Sequence, residues 1–166
     1  DYVLGFPTKS LRKYFSSKNK LDKLISEFEP DVVLIDRQSN FGLEIIKRKI
    51  PLFVLLRGHY WSEIEYAKDT IYKGKIMRKV LDIRADVAEQ VFAGSTEILP
   101  ICHYLKEIVK EHHPTQKSSV FIEGVDAKKW YKTNGMELKH PCVGMLQDAN
   151  WWRKTKEMLT LEKVIE

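Results

Sequence analysis

A chain of 166 residues is long enough for one domain with a proper core and too short for two complete ones. Its 43% hydrophobic and 31% charged residues are the proportions of a soluble globular protein, and no apolar run approaches the roughly 18 residues a membrane span needs. The surplus of 28 Lys and Arg over 23 Asp and Glu, a net +5, favours anionic partners without choosing among phosphates, anionic lipid and nucleic acid.

The basic residues are mixed with acids rather than gathered into a stripe, so a solvated surface accounts for most of them. The N-terminus lacks the apolar stretch of a signal peptide. Cys102 and Cys142 lie in different segments without CxxC spacing, so a reducing, cytoplasmic setting is expected rather than a disulfide.

Residues 1–17 hold a short apolar run, Tyr2-Val3-Leu4, and then a basic, aromatic segment without a Gly-rich turn. From residue 18 to 29, Leu21, Leu24, Ile25 and Phe28 recur at helical spacing. The pattern stops at Glu29-Pro30, because a residue before proline avoids the helical region. Asp31-Val32-Val33-Leu34-Ile35-Asp36 follows, a short continuous apolar run of the kind found in a parallel strand buried on both faces. The unit then repeats, with a helix over residues 41–49 and a strand at Leu52-Phe53-Val54-Leu55-Leu56. A long helix is expected over residues 62–88, interrupted near Gly74, and a third strand at Gln90-Val91-Phe92-Ala93.

Ser95 or Thr96 is placed to cap the next helix, with Glu97 and Pro100 in its early turns and Ile98, Ile101, Leu105, Ile108 and Val109 on its buried face. A fourth strand is expected over residues 119–122. A polar connector (131–139) leads to a new apolar run at Pro141-Cys142-Val143-Gly144-Met145-Leu146. The expected organisation is a domain over residues 1–130, that linker, and the beginning of a second domain over residues 140–166. Alternating strands and helices with short joints specify an α/β fold, a Rossmann-like parallel sheet with helices on both faces.

Open parallel sheets bind ligands beyond the carboxyl ends of their strands. The residues expected there are Asp36 and Arg37 after the first strand, and Arg57, Gly58, His59, Tyr60 and Trp61 after the second. Gly94 and Ser95 follow the third, and Glu123 and Gly124 the fourth. Glycine permits close backbone approach, histidine donates or accepts near neutral pH, and flat aromatic rings stack on sugars or bases. Plainer readings stand beside these. Tyr60 and Trp61 would simply pack the following helix, Asp36 and Arg37 would form a local ion pair, and Gly94-Ser95-Thr96 would be an ordinary helix cap.

Lys73-Gly74-Lys75 lacks the rest of a phosphate-binding loop. His112-His113 at a helix end reads as a solvated cap rather than a metal pair. No GxSxG, HExxH or GxGxxG occurs.

Four segments in this order resemble retaining glycosyltransferases of the GT-B fold, family 4 or "group 1". They are Glu29-Pro30-Asp31-Val32-Val33, the run from Ile50-Pro51 through Arg57-Gly58-His59, Ala85-Asp86 through Gly94-Ser95, and Val120-Phe121-Ile122-Glu123-Gly124-Val125-Asp126. The likeness spans residues 20–166. It departs from the family where Glu123 replaces the usual Asn and Met145 the usual Arg.

The resemblance implies half of a GT-B fold and transfer of a sugar from a nucleotide-sugar donor, with retained configuration and without a metal or other cofactor. The acceptor would be a glycan, a lipid-linked molecule or a small molecule. His59 matches the histidine that reaches the reacting sugar, and Arg153 or Lys154 would supply positive charge to the donor diphosphate. A single half-cleft is expected to be inactive by itself.

The alternative class is a non-catalytic module binding nucleic acid or acidic glycan, although the scattered basic residues favour no nucleic-acid partner. An epimerase-like enzyme is disfavoured by the missing Gly-rich turn. The basic segment 8–23 suits either peripheral contact with anionic lipid or a plain exposed helix.

Overall fold

In the computed structural model, residues 18–131 and 134–135 are described. Helix α1 (Lys18–Phe28) precedes strand β1 (Val33–Ile35), helix α2 (Asn40–Lys47) and strand β2 (Leu52–Leu56). Helix α3 (Tyr60–Tyr66) runs into a π-helical turn at Ala67–Ile71, and then come α4 (Lys75–Gly94), β3 (Glu97–Pro100) and α5 (His103–His112). Both α1 and α2 are followed by a left-handed residue, Glu29 (φ 40°) and Lys49 (φ 58°), and a proline stands shortly beyond each. The interruption expected near Gly74 is present, where the backbone is extended before α4.

The three strands are parallel, in the order β1-β2-β3. Ile35 lies beside Val54, and Val54 beside Ile98. Each crossover moves one place in the same direction, so right-handed connections put α2, α4 and α5 on one face. The core lies on that face. It joins Ile35, Leu52, Val54, Leu56 and Ile98 of the sheet to Ile45 of α2, Ala88, Val91 and Phe92 of α4, and Leu105 and Val109 of α5, with Leu21 of α1 at its margin. The architecture is thus α/β and Rossmann-like. Helices on both faces were expected, whereas the core contacts of the described helices are with this one; on the other face Leu34 is 57% exposed and Leu55 is buried.

Two elements differ from expectation. Residues 90–93 are not a strand, because α4 continues through them to Gly94. Leu81, Ala88, Val91 and Phe92 are its buried positions, spaced at three, four and seven, and this helical period prevails over the local apolar run. Ser95 therefore ends a helix rather than starting one, and its hydroxyl donates to the Phe92 carbonyl at 2.8 Å. The third strand is Glu97–Pro100, so Ile98 and Pro100 belong to the sheet, and the following helix begins only at His103.

The segment at residues 117–121 runs parallel to β3. Ile98 donates to the Lys117 carbonyl, Ser119 to that of Ile98, and Phe121 to that of Pro100. These bonds start earlier than the expected fourth strand and form an isolated bridge, Ile98 with Ser118, rather than a full strand.

Helices α2 and α4 meet at two glycines. A Cβ on Gly42 would stand 2.8 Å from Val91 Cγ1, and one on Gly94 would stand 2.8 Å from Ile46 Cδ1. Across the close contact between α2 and α1, Arg48 pairs with Asp22.

The amino edge of the sheet is tied by polar side chains. Leu52 N–H donates to Thr96 Oγ1 at 3.0 Å, and Gln116 donates to the Ser95 carbonyl at 2.7 Å. Glu97 is buried here against Lys117 Nζ at 3.0 Å. The Ser119 hydroxyl and then the Lys117 ammonium hold its carboxyl below the ordinary 4.5, against the opposing effect of burial. Unfolding therefore takes up a proton below about pH 4.5. This contribution to stability is full above that value and is lost as the pH falls through the folded one. Acidification from pH 7 to 3 is expected to lower the urea midpoint more in the natural protein than in Glu97→Gln. Equal losses in the two would contradict this assignment.

The chain divides into two compact units, residues 1–124 and 125–166. The described part of the second is a single turn in which Asp126 Oδ1 accepts from Lys128 N at 3.0 Å. The expected second-domain strand at 141–146, Arg153, Lys154, Cys142 and most of the expected linker lie outside the described residues. So do residues 8–17 of the basic segment, whereas Lys18–Lys23 opens α1. Among the described residues no helix is long and apolar enough to cross a membrane.

Candidate functional site

The carboxyl edge of the sheet gathers side chains from three separate connections. Arg57, directly after β2, forms ion pairs with Asp36 (Nε to Oδ1, 3.1 Å) and with Glu123 (Nη2 to Oε1, 2.6 Å). One guanidinium thus joins the ends of β1, β2 and the segment beside β3. Asp36 turns to Arg57 rather than to its neighbour Arg37, which is exposed. All three paired side chains are about half exposed, so the pairing is an arrangement open to solvent and to ligands rather than a source of stability.

His59 sits two residues beyond Arg57 and caps α3. Its Nδ1 accepts from Ser62 N–H at 3.3 Å. That bond assigns the lone pair to Nδ1 and leaves Nε2–H as a donor. The imidazole has two aromatic rings near it, Trp61 at 6.3 Å edge-on and Tyr104 at 6.2 Å. A Cβ on Gly58 would meet only the Glu63 carboxyl, with Oε1 at 2.7 Å, and that exposed, flexible side chain can move aside, so packing does not require glycine there.

The other two aromatics face inward. Tyr60 packs edge-on against Phe92 at 5.9 Å and donates to the Arg84 carbonyl, so it belongs to the α3–α4 contact and not to the cleft. Trp61 is partly buried and held by three partners. It stacks on His112 at 4.0 Å and on Phe92 at 5.3 Å, and its Nε1 donates to Glu89 Oε1 at 2.7 Å. Glu89 Oε2 also lies 2.9 Å from His113 Nε2. The histidines do stand at the end of α5, as the cap reading expects, and His112 is exposed there, but its ring also stacks on Trp61 while His113 is largely covered beside Glu89. Both rings contact Trp61, at 4.0 and 6.0 Å, and so join the end of α5 to the start of α3. Among the described residues no group of three or more His, Cys, Asp or Glu could hold a metal ion.

Gly94 and Ser95 leave the candidate site. They precede β3, at the opposite edge from Asp36 and Arg57, and each has a structural role, Gly94 against Ile46 and Ser95 against Phe92 and Gln116. In their place β3 delivers Cys102, His103 and Tyr104 to the carboxyl edge. The run Ile98-Leu99-Pro100-Ile101, bracketed by Glu97 and Cys102, carried the signal, since it has the same form as β2. Gly124 has open space where a Cβ would stand, so packing does not require glycine there.

A shallow apolar hollow of about 350 Å³ lies elsewhere, between α1, α2 and Val33 of β1, and no ionisable side chain lines it. The chemistry-bearing groups are those of the carboxyl edge. Comparison with known proteins found no matching family model, no matching curated protein and no matching solved structure.

Proposed function

We propose that this chain is the acceptor-side half of a GT-B glycosyltransferase, moving a sugar from a nucleotide-sugar donor to an acceptor with retained configuration. The observation that supports it best is the junction at Arg57, which draws Asp36 and Glu123 to one edge of a parallel sheet beside His59. The ordered family-like segments at residues 29–33, 50–59 and 120–126 support the same reading.

In the proposed reaction, the bond between the sugar C1 and the donor phosphate oxygen breaks with its electron pair on the diphosphate. The acceptor oxygen bonds to C1, and its proton passes to the departing diphosphate. Charge develops on the sugar ring and the phosphate, so fixed donors aimed at them are where catalysis is gained. His59 Nε2–H is such a donor. Asp36 and Glu123, held by Arg57, orient acceptor hydroxyls. Arg153 and Lys154 remain the proposed diphosphate contacts, and Ser95 and Gly94 take no part.

The test uses the protein as its gene encodes it, incubated with uridine, guanosine, adenosine and thymidine diphosphate sugars and a panel of glycosides and lipid-linked saccharides. Acceptor-dependent release of nucleoside diphosphate, with a new glycosidic product of retained configuration by NMR, is expected. Absence of product from every donor would overturn the proposal.

A further inference from the structure

We infer that the carboxyl edge carries a subsite for a neutral saccharide, with the Tyr104 ring as its platform and the Asp36 and Glu123 carboxylates as its hydroxyl acceptors. This deepens the transferase reading and rests on it for the role of the bound sugar as acceptor.

Tyr104 is the large aromatic that the corrected position of β3 brings to this edge. It is 63% exposed, yet it lies on the first turn of α5 and its ring stands 6.2 Å from His59. Tyr60 and Trp61 are committed to packing, whereas Tyr104 is mostly exposed to solvent beside His59. A pyranose offers an apolar C–H face to such a ring and a rim of hydroxyls to charged acceptors.

The carboxylates also define the ligand's charge. Arg57 already spends Nε on Asp36 and Nη2 on Glu123, so its charge is matched by theirs. Glu63 adds a further carboxylate over Gly58. Three acids thus stand against Arg57 and the exposed Arg37. A phosphate arriving here would have to share Arg57 with two carboxylates already paired to it, and close like charges are costly. A neutral polyol meets no such opposition, because an ionised carboxylate paired to Arg57 keeps lone pairs for hydroxyl donors.

The experiment titrates methyl hexopyranosides and the matching hexose 6-phosphates into the protein by calorimetry, and in parallel offers both as acceptors in the transfer assay. Neutral glycosides are expected to bind and to be at least about tenfold better acceptors than their phosphates. Tyr104→Ala is expected to raise the acceptor KM about tenfold while the nucleotide-sugar KM stays within about twofold, and Tyr104→Phe recovers most of the loss because it keeps the ring. A preference for the phosphates, or an acceptor KM unmoved by Tyr104→Ala, overturns the subsite and leaves the transferase reading in place. If no donor is turned over, the transferase reading fails alone. Glycoside binding that Tyr104→Ala abolishes would still establish the subsite, and absence of glycoside binding to the natural protein would sink it.

Discussion

Replacing Phe92 by alanine is expected to lower the unfolding free energy by about 3–5 kcal/mol, the usual result of emptying a fully buried aromatic position. Phe92 is completely buried, in the last turn of α4, and its ring touches three others: Trp61 at 5.3 Å, His113 at 5.6 Å and Tyr60 at 5.9 Å. Those rings belong to α3 and to the end of α5, so the cavity would open where three helices meet, with rigid neighbours poorly able to collapse into it. A domain of this size is stable by only about 5–15 kcal/mol, and the loss is a large part of that. Urea unfolding followed by tryptophan emission measures it. The folded baseline should also shift to the red, since Trp61 loses one of its two stacking partners. Phe92→Leu, which conserves most of the volume, should cost under about 1.5 kcal/mol. A loss below about 1 kcal/mol for Phe92→Ala would mean that the ring is not the keystone of this contact.

That same residue explains why part of the fold was legible in the sequence and part was not. Strands β1 and β2 are short apolar runs bracketed by polar or proline residues, and a buried parallel strand has few other ways to be written. Val91-Phe92 imitates such a run, but it is a piece of a helical stripe that begins at Leu81, and a window of four residues cannot see a seven-residue repeat. Misplacing the strand by seven residues carried Gly94 and Ser95 to the wrong edge of the sheet and concealed Tyr104. By contrast, Asp36, Arg57 and Glu123 were legible as edge residues, because each follows an extended segment whose direction the parallel topology determines. Their mutual pairing was not, since it depends on side chains from three connections far apart in sequence. Nor was the Trp61–His112 stack, which joins residues 51 positions apart through the packing of α3 on α5. Local chemistry places residues along a strand. Only the assembled layers decide which of them meet.

For His59 the decisive variant is asparagine, with turnover expected to fall by about 100-fold or more and stability to remain within about 0.5 kcal/mol. The imidazole has two roles at two nitrogens. Nδ1 accepts from Ser62 N–H and caps α3, while Nε2–H is the donor proposed to face the reacting sugar. Asparagine is among the best capping residues, and its Oδ1 occupies the place of Nδ1. The cap is therefore kept and the distal donor is lost. Removal of one preorganised donor to a charged transition state costs on the order of 10²–10³ in rate.

Alanine removes both functions, and is expected to add about 1 kcal/mol of destabilisation from the lost cap. Comparing kcat and the thermal midpoint for the two variants separates chemistry from folding. Both should lose turnover alike, and only His59→Ala should lose stability. If His59→Asn turned over at the natural rate, His59 would be a helix cap and nothing more, and the donor would have to be sought among Arg57, His103 and Tyr104 along the same edge.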